Sequence, residues 1–66
     1  MDITLNGCKH PLEKNTTLDL LVEGLDLQGK RIAIEVNQHI IPRSSHPDYI
    51  LQPGDRVEIV HAIGGG

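Results

Sequence analysis

Apolar and polar residues alternate at the start of the chain. Met1, Ile3 and Leu5 are apolar, and Asp2 and Thr4 are polar. A period of two with β-branched neighbours predicts a strand with one buried face. Asn6-Gly7 follows, a pair that tight hairpin loops favour because both residues tolerate positive φ. Cys8–Glu13 is then the returning strand. Pro11 has no amide hydrogen for a ladder bond, which places that strand at a sheet edge. Past Asn15 the period changes. Leu18, Leu21, Val22 and Leu25 stand at i, i+3, i+4 and i+7, the apolar stripe of a helix. Thr16 is expected to open this helix with its hydroxyl. Asp19, three residues on, approximates a capping box and suits the positive end of the helix dipole. Gly24 and Gly29 are its stop signals. A helix of about ten residues is marginal alone, so its stripe must dock on the sheet.

Alternation returns at Ile32, Ile34 and Val36, a third strand. Asn37-Gln38 turns the chain, and His39-Ile40-Ile41 is a short fourth strand ended by Pro42. The stretch from Arg43 to Gln52 reads as irregular, with Ser44, Ser45 and Pro47 as breaks and Tyr49, Ile50 and Leu51 pinning it to the core. Pro53-Gly54 is a turn. Val57, Ile59 and, at its limit, His61 form one face of a fifth strand; Glu58, Val60 and Ala62 form the other. One helix can cover only one face of such a sheet. The expected architecture is a two-layer α+β fold whose second sheet face is open to solvent or a partner.

Composition narrows the function classes. A chain of 66 residues has room for one domain and buries a thin core. Phe and Trp are absent and Tyr49 is the sole aromatic residue, so the core must be aliphatic. An enclosed active-site cleft needs more walls than such a chain supplies. Six basic residues against nine acidic give a net charge of −3. The cations are scattered, unlike the clustered basic footprint of a nucleic-acid binder. Cys8 is the only cysteine, which excludes an intrachain disulfide and fits a reducing compartment. No apolar run is long enough to span a membrane, and Met1–Leu5 lacks the features of a secretory leader. The expectation is a cytoplasmic, soluble single domain, monomeric when free.

Candidate chemistry concentrates at the C-terminus. Gly64, Gly65 and Gly66 directly follow a strand. Glycine costs the most entropy to order, so a flexible tail is expected over 64–66, with the folded domain at 1–63. Three extended residues reach roughly 10 Å and can enter a channel too narrow for any side chain. The terminal carboxyl, with a reference pKa of about 3.5, is ionised at neutral pH. It can attack the α-phosphate of ATP to give an acyl-adenylate open to sulfur or nitrogen nucleophiles. The bland alternative is a frayed terminus.

Other constellations are weaker. His10, His39, His46 and His61 with Cys8 do not fall in paired zinc-ligand spacings. They read as solvent-facing histidines and a small apolar cysteine, and no metal site is assigned. Ser44, Ser45, His46 and Asp48 lie close in sequence, but no strand-turn-helix elbow presents a serine. Gly24 and Gly29-Lys30 match part of a phosphate-binding loop, yet Arg31 stands where Ser or Thr belongs and the segment follows a helix. No catalytic residue is assigned, and the chain is not expected to bind ATP or another cofactor by itself.

Four stretches together carry a family likeness. They are Ile3-Thr4-Leu5-Asn6-Gly7, Thr17-Leu18-Asp19-Leu20-Leu21, Val36-Asn37-Gln38-His39-Ile40-Ile41-Pro42-Arg43, and Leu51-Gln52-Pro53-Gly54-Asp55 onward to Gly66. With them the sequence resembles the ThiS family, the ubiquitin-like sulfur carriers of thiamine biosynthesis. The resemblance implies a β-grasp fold, with the first and last strands parallel and adjacent in the sheet. It implies a carrier, not an enzyme. A ThiF-like adenylyltransferase of the ubiquitin-activating type would consume ATP to adenylate Gly66. A sulfur donor enzyme would convert the adenylate to a thiocarboxylate, and a ThiG-like thiazole synthase would take the sulfur. Gly64 and Gly65 would thread the partner channel. Val60, Ala62 and Ile63, around the root of the tail, are the expected docking residues. The small subunit of molybdopterin synthase is the nearest alternative, but its Phe-Pro-Pro-type approach to the glycines is here Val60-His61-Ala62-Ile63. A non-catalytic β-grasp interaction module is the alternative from another class; it does not need glycines at the chain end.

Overall fold

Two tight turns with left-handed backbone set the outer hairpins of the sheet. The computed structural model describes residues 1–61. Strands β1 (Asp2–Leu5) and β2 (Cys8–Pro11) pair antiparallel, with Leu5 opposite Cys8. Between them Asn6 and Gly7 take φ of 48° and 83°. Strands β3 (Ile32–Val36) and β4 (His39–Ile41) are joined in the same way, through Asn37 and Gln38 at 51° and 71°. Left-handed geometry at both loop positions matches the right-handed twist of the flanking strands.

Strand β5 (Arg56–His61) lies between the two hairpins, giving the order β2-β1-β5-β3-β4. It runs parallel to β1 and antiparallel to β3. The first and last strands are thus adjacent and parallel at the centre, as a β-grasp fold requires. Pro11 sits on an edge strand as expected, although that strand stops at Pro11, short of Glu13.

Helix α1 (Leu18–Gly24) covers one sheet face. Its Leu18, Leu21 and Val22 are buried against Ile3, Ile34, Val36, Val57 and Ile59 of the sheet and Leu51 of the final loop. The core is aliphatic throughout. The cap differs from expectation by one residue. Thr17 is the N-cap, its oxygen accepting from the Leu20 amide at 3.2 Å, whereas the Thr16 hydroxyl donates to the Glu13 carbonyl at 2.7 Å. The helix has seven residues, shorter than its apolar stripe suggests. Gly24 remains helical, and the left-handed exit positions are Asp26 and Gly29.

The segment read as irregular contains a 3₁₀ helix, Arg43–Asp48. Pro42 stands extended at its entry, and the Ser45 amide donates to the Pro42 carbonyl. His46 is only 5% exposed, which corrects the reading of all four histidines as solvent-facing. Its Nε2 lies 3.0 Å from the Ile41 carbonyl, and that bond makes burial of the ring tolerable. Leu51 pins the segment to the core and Tyr49 is half-buried, but Ile50 is exposed. Among the described residues, no helix is long and apolar enough to cross a membrane.

Candidate functional site

Strand β5 is the structural root of the glycine tail. Its side chains alternate as the sequence implies. Val57 and Ile59 face the helix and are buried, while Glu58 and Val60 face the open side. Val60 is 57% exposed. The other predicted site residues, Ala62, Ile63, Gly64, Gly65 and Gly66, lie outside the described residues.

Polar side chains fix both ends of this strand. At its start, the Asp55 carboxylate accepts from Asn37 Nδ2 at 3.0 Å and from the Gln52 amide at 2.8 Å. Asn37 also accepts from the Arg56 amide at 3.0 Å through Oδ1, and its own amide donates to the Arg56 carbonyl. The Asn37 turn and the Pro53-Gly54-Asp55 turn, distant in sequence, are therefore two halves of one lock. Arg43 ties the following segment down by donating to the Lys30 carbonyl at 2.8 Å. Near the other end, Asn6 Oδ1 accepts from the Ile59 amide at 2.8 Å across 53 residues of chain. The Asn6 amide donates to the Val57 carbonyl. Sequence reasoning took Asn6 as a turn former only. Its second role depends on β5 standing beside it, which local pattern does not encode.

The open face combines apolar and acidic groups. Val60 stands opposite Ala33, Glu58 opposite Glu35, and Glu35 opposite Ile40. Ile40 is 71% exposed. Beside them a shallow recess is lined by Glu35, Asn37, Gln38, Arg56 and Glu58. Facing carboxylates on adjacent strands repel, and the Arg56 side chain lines the same recess.

Elsewhere the reactive residue types are occupied or dispersed. His46, adjacent in sequence to Ser44 and Ser45, directs Nε2 at a backbone carbonyl. Cys8 is exposed on the edge strand. Among the described residues, no three His, Cys, Asp or Glu side chains group as metal ligands. The described residues present a last strand fixed by polar contacts and a sheet face with exposed Val60 and Ile40.

Comparison with known proteins agrees with this geometry. The sequence matches the ThiS family over residues 3–66. It is 32% identical to the sulfur carrier protein ThiS of Escherichia coli over 66 residues, covering all of both chains. It is 41% identical over 66 residues to a thiazole synthase of Magnetococcus marinus. The chain spans a fifth of that protein's length, as it does of a second thiazole synthase, from Paramagnetospirillum magneticum. The crystal structure of the thiamine biosynthesis protein ThiS from Geobacter metallireducens superposes with a TM-score of 0.87 at 25% identity, over the whole of both chains. A β-grasp sheet with a polar-locked last strand, matched by family from residue 3 to residue 66, places this chain in the ThiS family.

Proposed function

We propose that this protein is the sulfur carrier of a thiazole-forming pathway in thiamine biosynthesis, and that Gly66 is the residue carrying the sulfur. The observation that carries the reading is the family match, which runs through the glycines to residue 66. In the proposed cycle the Gly66 carboxylate attacks the α-phosphate of ATP on a ubiquitin-activating-type adenylyltransferase. Pyrophosphate leaves and an acyl-adenylate remains. Hydrosulfide-level sulfur from a donor enzyme then attacks the glycyl carbonyl. AMP leaves and a thiocarboxylate remains, which a thiazole synthase consumes. The protein is a substrate in each step and supplies no catalytic group.

The two thiazole synthases that contain a stretch matching this whole chain support that enzyme as the consumer. Gly64 and Gly65 form the thread that reaches into partner active sites, with residues 1–63 as the folded body. Val60, Ala62 and Ile63 provide the apolar anchor around its root. The open face, with Val60 and Ile40 exposed on it, supports that assignment.

The test is an intact mass. The protein is incubated with the activating enzyme, ATP and sulfide, and the expected product is heavier by the exchange of one oxygen for one sulfur, mapped to Gly66. An unchanged mass, with an enzyme active on another ThiS carrier, overturns the reading.

A further inference from the structure

The central strand is paired unequally on its two sides. Pairing with β3 runs from Val36↔Val57 to Ile32↔His61, all of the strand but its first residue. Pairing with β1 ends at Leu5↔Val57, because the chain turns away at Asn6-Gly7. β5 nevertheless continues to His61.

The direction of the backbone groups follows from the bonds present. Asn37 bonds the Arg56 carbonyl and amide, so even-numbered residues of β5 aim their polar groups at β3. The Asp55 and Val57 carbonyls and the Ile59 amide bond Thr4 and Asn6, so odd-numbered residues aim theirs at β1. Strand alternation continues this pattern to His61. Asn6 Oδ1 satisfies the Ile59 amide. The next groups on that side are the Ile59 carbonyl and the His61 amide, an acceptor and a donor beyond the last residue of β1.

The ordinary edges of the sheet are protected. β2 carries Pro11, and β4 has three residues and is followed by Pro42. Proline and short length are the usual means of blunting an edge against strand addition. The edge at Ile59–His61 is as short as β4 but carries no proline, and two residues separate it from the glycines.

We propose that this half-edge receives an extended backbone segment of the thiazole synthase as an additional strand. The segment donates an amide to the Ile59 carbonyl and accepts from the His61 amide, and so holds the strand that leads to the glycines in one direction. Main-chain bonds of this kind give affinity and orientation with little demand on side-chain identity. The inference rests on the carrier reading above, and on the relatives in which a matching stretch and a thiazole synthase share one polypeptide.

The experiment compares His61→Pro with His61→Ala in binding to thiazole synthase. Proline deletes the amide that faces the open side, leaves the bonds to β3 intact, and suits a strand whose preceding residue is already extended. We expect a loss of about tenfold in affinity for His61→Pro and less than about twofold for His61→Ala. Equal affinities of His61→Pro and wild type overturn the proposal. Hydrogen exchange at the His61 amide of the wild-type complex gives a readout that does not depend on the variant folding. Slowing by about tenfold or more supports strand addition, and unchanged exchange overturns it. The mass test on Gly66 separates the two readings. A chain that gains sulfur but shows no effect at His61 keeps the carrier function and loses the added strand. A wild-type chain that neither gains sulfur nor binds the synthase loses both.

Discussion

Asn6 illustrates how much one side chain does in a chain this small. Its backbone supplies a left-handed turn position at φ 48°, and its amide oxygen holds the Ile59 amide. Two substitutions separate the roles. Asn6→Gly keeps the turn and loses the acceptor, leaving a partly buried donor unpaired at a cost of about 1–3 kcal/mol. Asn6→Asp keeps both the acceptor and the tolerance for positive φ. The expected order of thermal midpoints is wild type, then Asn6→Asp, then Asn6→Gly, and equal midpoints for the two variants would assign Asn6 to the turn alone. Gln38 presents the reverse case. It is an exposed residue at φ 71° with a side chain that the turn geometry does not need. Left-handed backbone costs a non-glycine residue roughly 1–2 kcal/mol, while glycine gives back about 0.5–1 kcal/mol in chain entropy. Relief exceeds the entropy, so Gln38→Gly is expected to raise the midpoint by a few degrees; a fall would show that the side chain contributes through the recess it lines.

At the scale of elements, the sequence is legible where period and burial coincide. Strands β1, β3 and β5 and the helix stripe follow from apolar spacing, because each has one face in the core and one in water. Strands β2 and β4 contain no buried residue and are marked instead by the turns that lead into them. Leu21 is 3% exposed at the centre of that stripe. Leu21→Ala should cost about 2–5 kcal/mol, comparable with the whole stability of a scaffold of this size, about 3–5 kcal/mol. A cooperative denaturant transition near the wild-type midpoint would contradict the packing. The misreadings have equally local causes. Thr16 and Thr17 both offer a hydroxyl at the helix entry, and only the path of the chain from Glu13 decides which one caps. The 3₁₀ helix at Arg43–Asp48 has no apolar period to announce it. His46 is surrounded in sequence by serine, proline and aspartate, so nothing nearby signals that its ring is buried against the Ile41 carbonyl. The glycines proposed to carry the chemistry stand out for a different reason: three in succession are a compositional signal and need no fold to be seen.

At the scale of the molecule, one face of the sheet is buried and the other is exposed. Helix α1 and its aliphatic partners occupy one face; Val60, Ile40 and the Glu35–Glu58 pair occupy the other. Val60→Asp should therefore leave a folded protein, since the side chain is already 57% exposed. Its affinity for the activating enzyme and for thiazole synthase should fall by about tenfold or more, because a carboxylate would have to be desolvated in each complex. Binding titrations with both enzymes check this, and full affinity for both would exclude the face. Deleting Gly65 and Gly66 should abolish sulfur transfer while shifting the midpoint little, since the deletion removes no apolar side chain. A large fall in the midpoint would mean that these residues stabilise the body.

The parallel pairing of β1 with β5 has a consequence for how the protein comes into being. Asp2–Leu5 and Arg56–His61 are far apart in the chain and the first is synthesised long before the second, yet these two strands are neighbours in the sheet. The intervening segment must be closed into a loop before that contact forms, an entropic cost that local contacts cannot offset. A nascent chain stopped before β5 has hairpins and a helix stripe but no central strand to unite them. The sheet is completed only by Arg56–His61, so a chain that stops short of them is expected to fail to fold. The topology makes folding a check that synthesis has passed through the fifth strand.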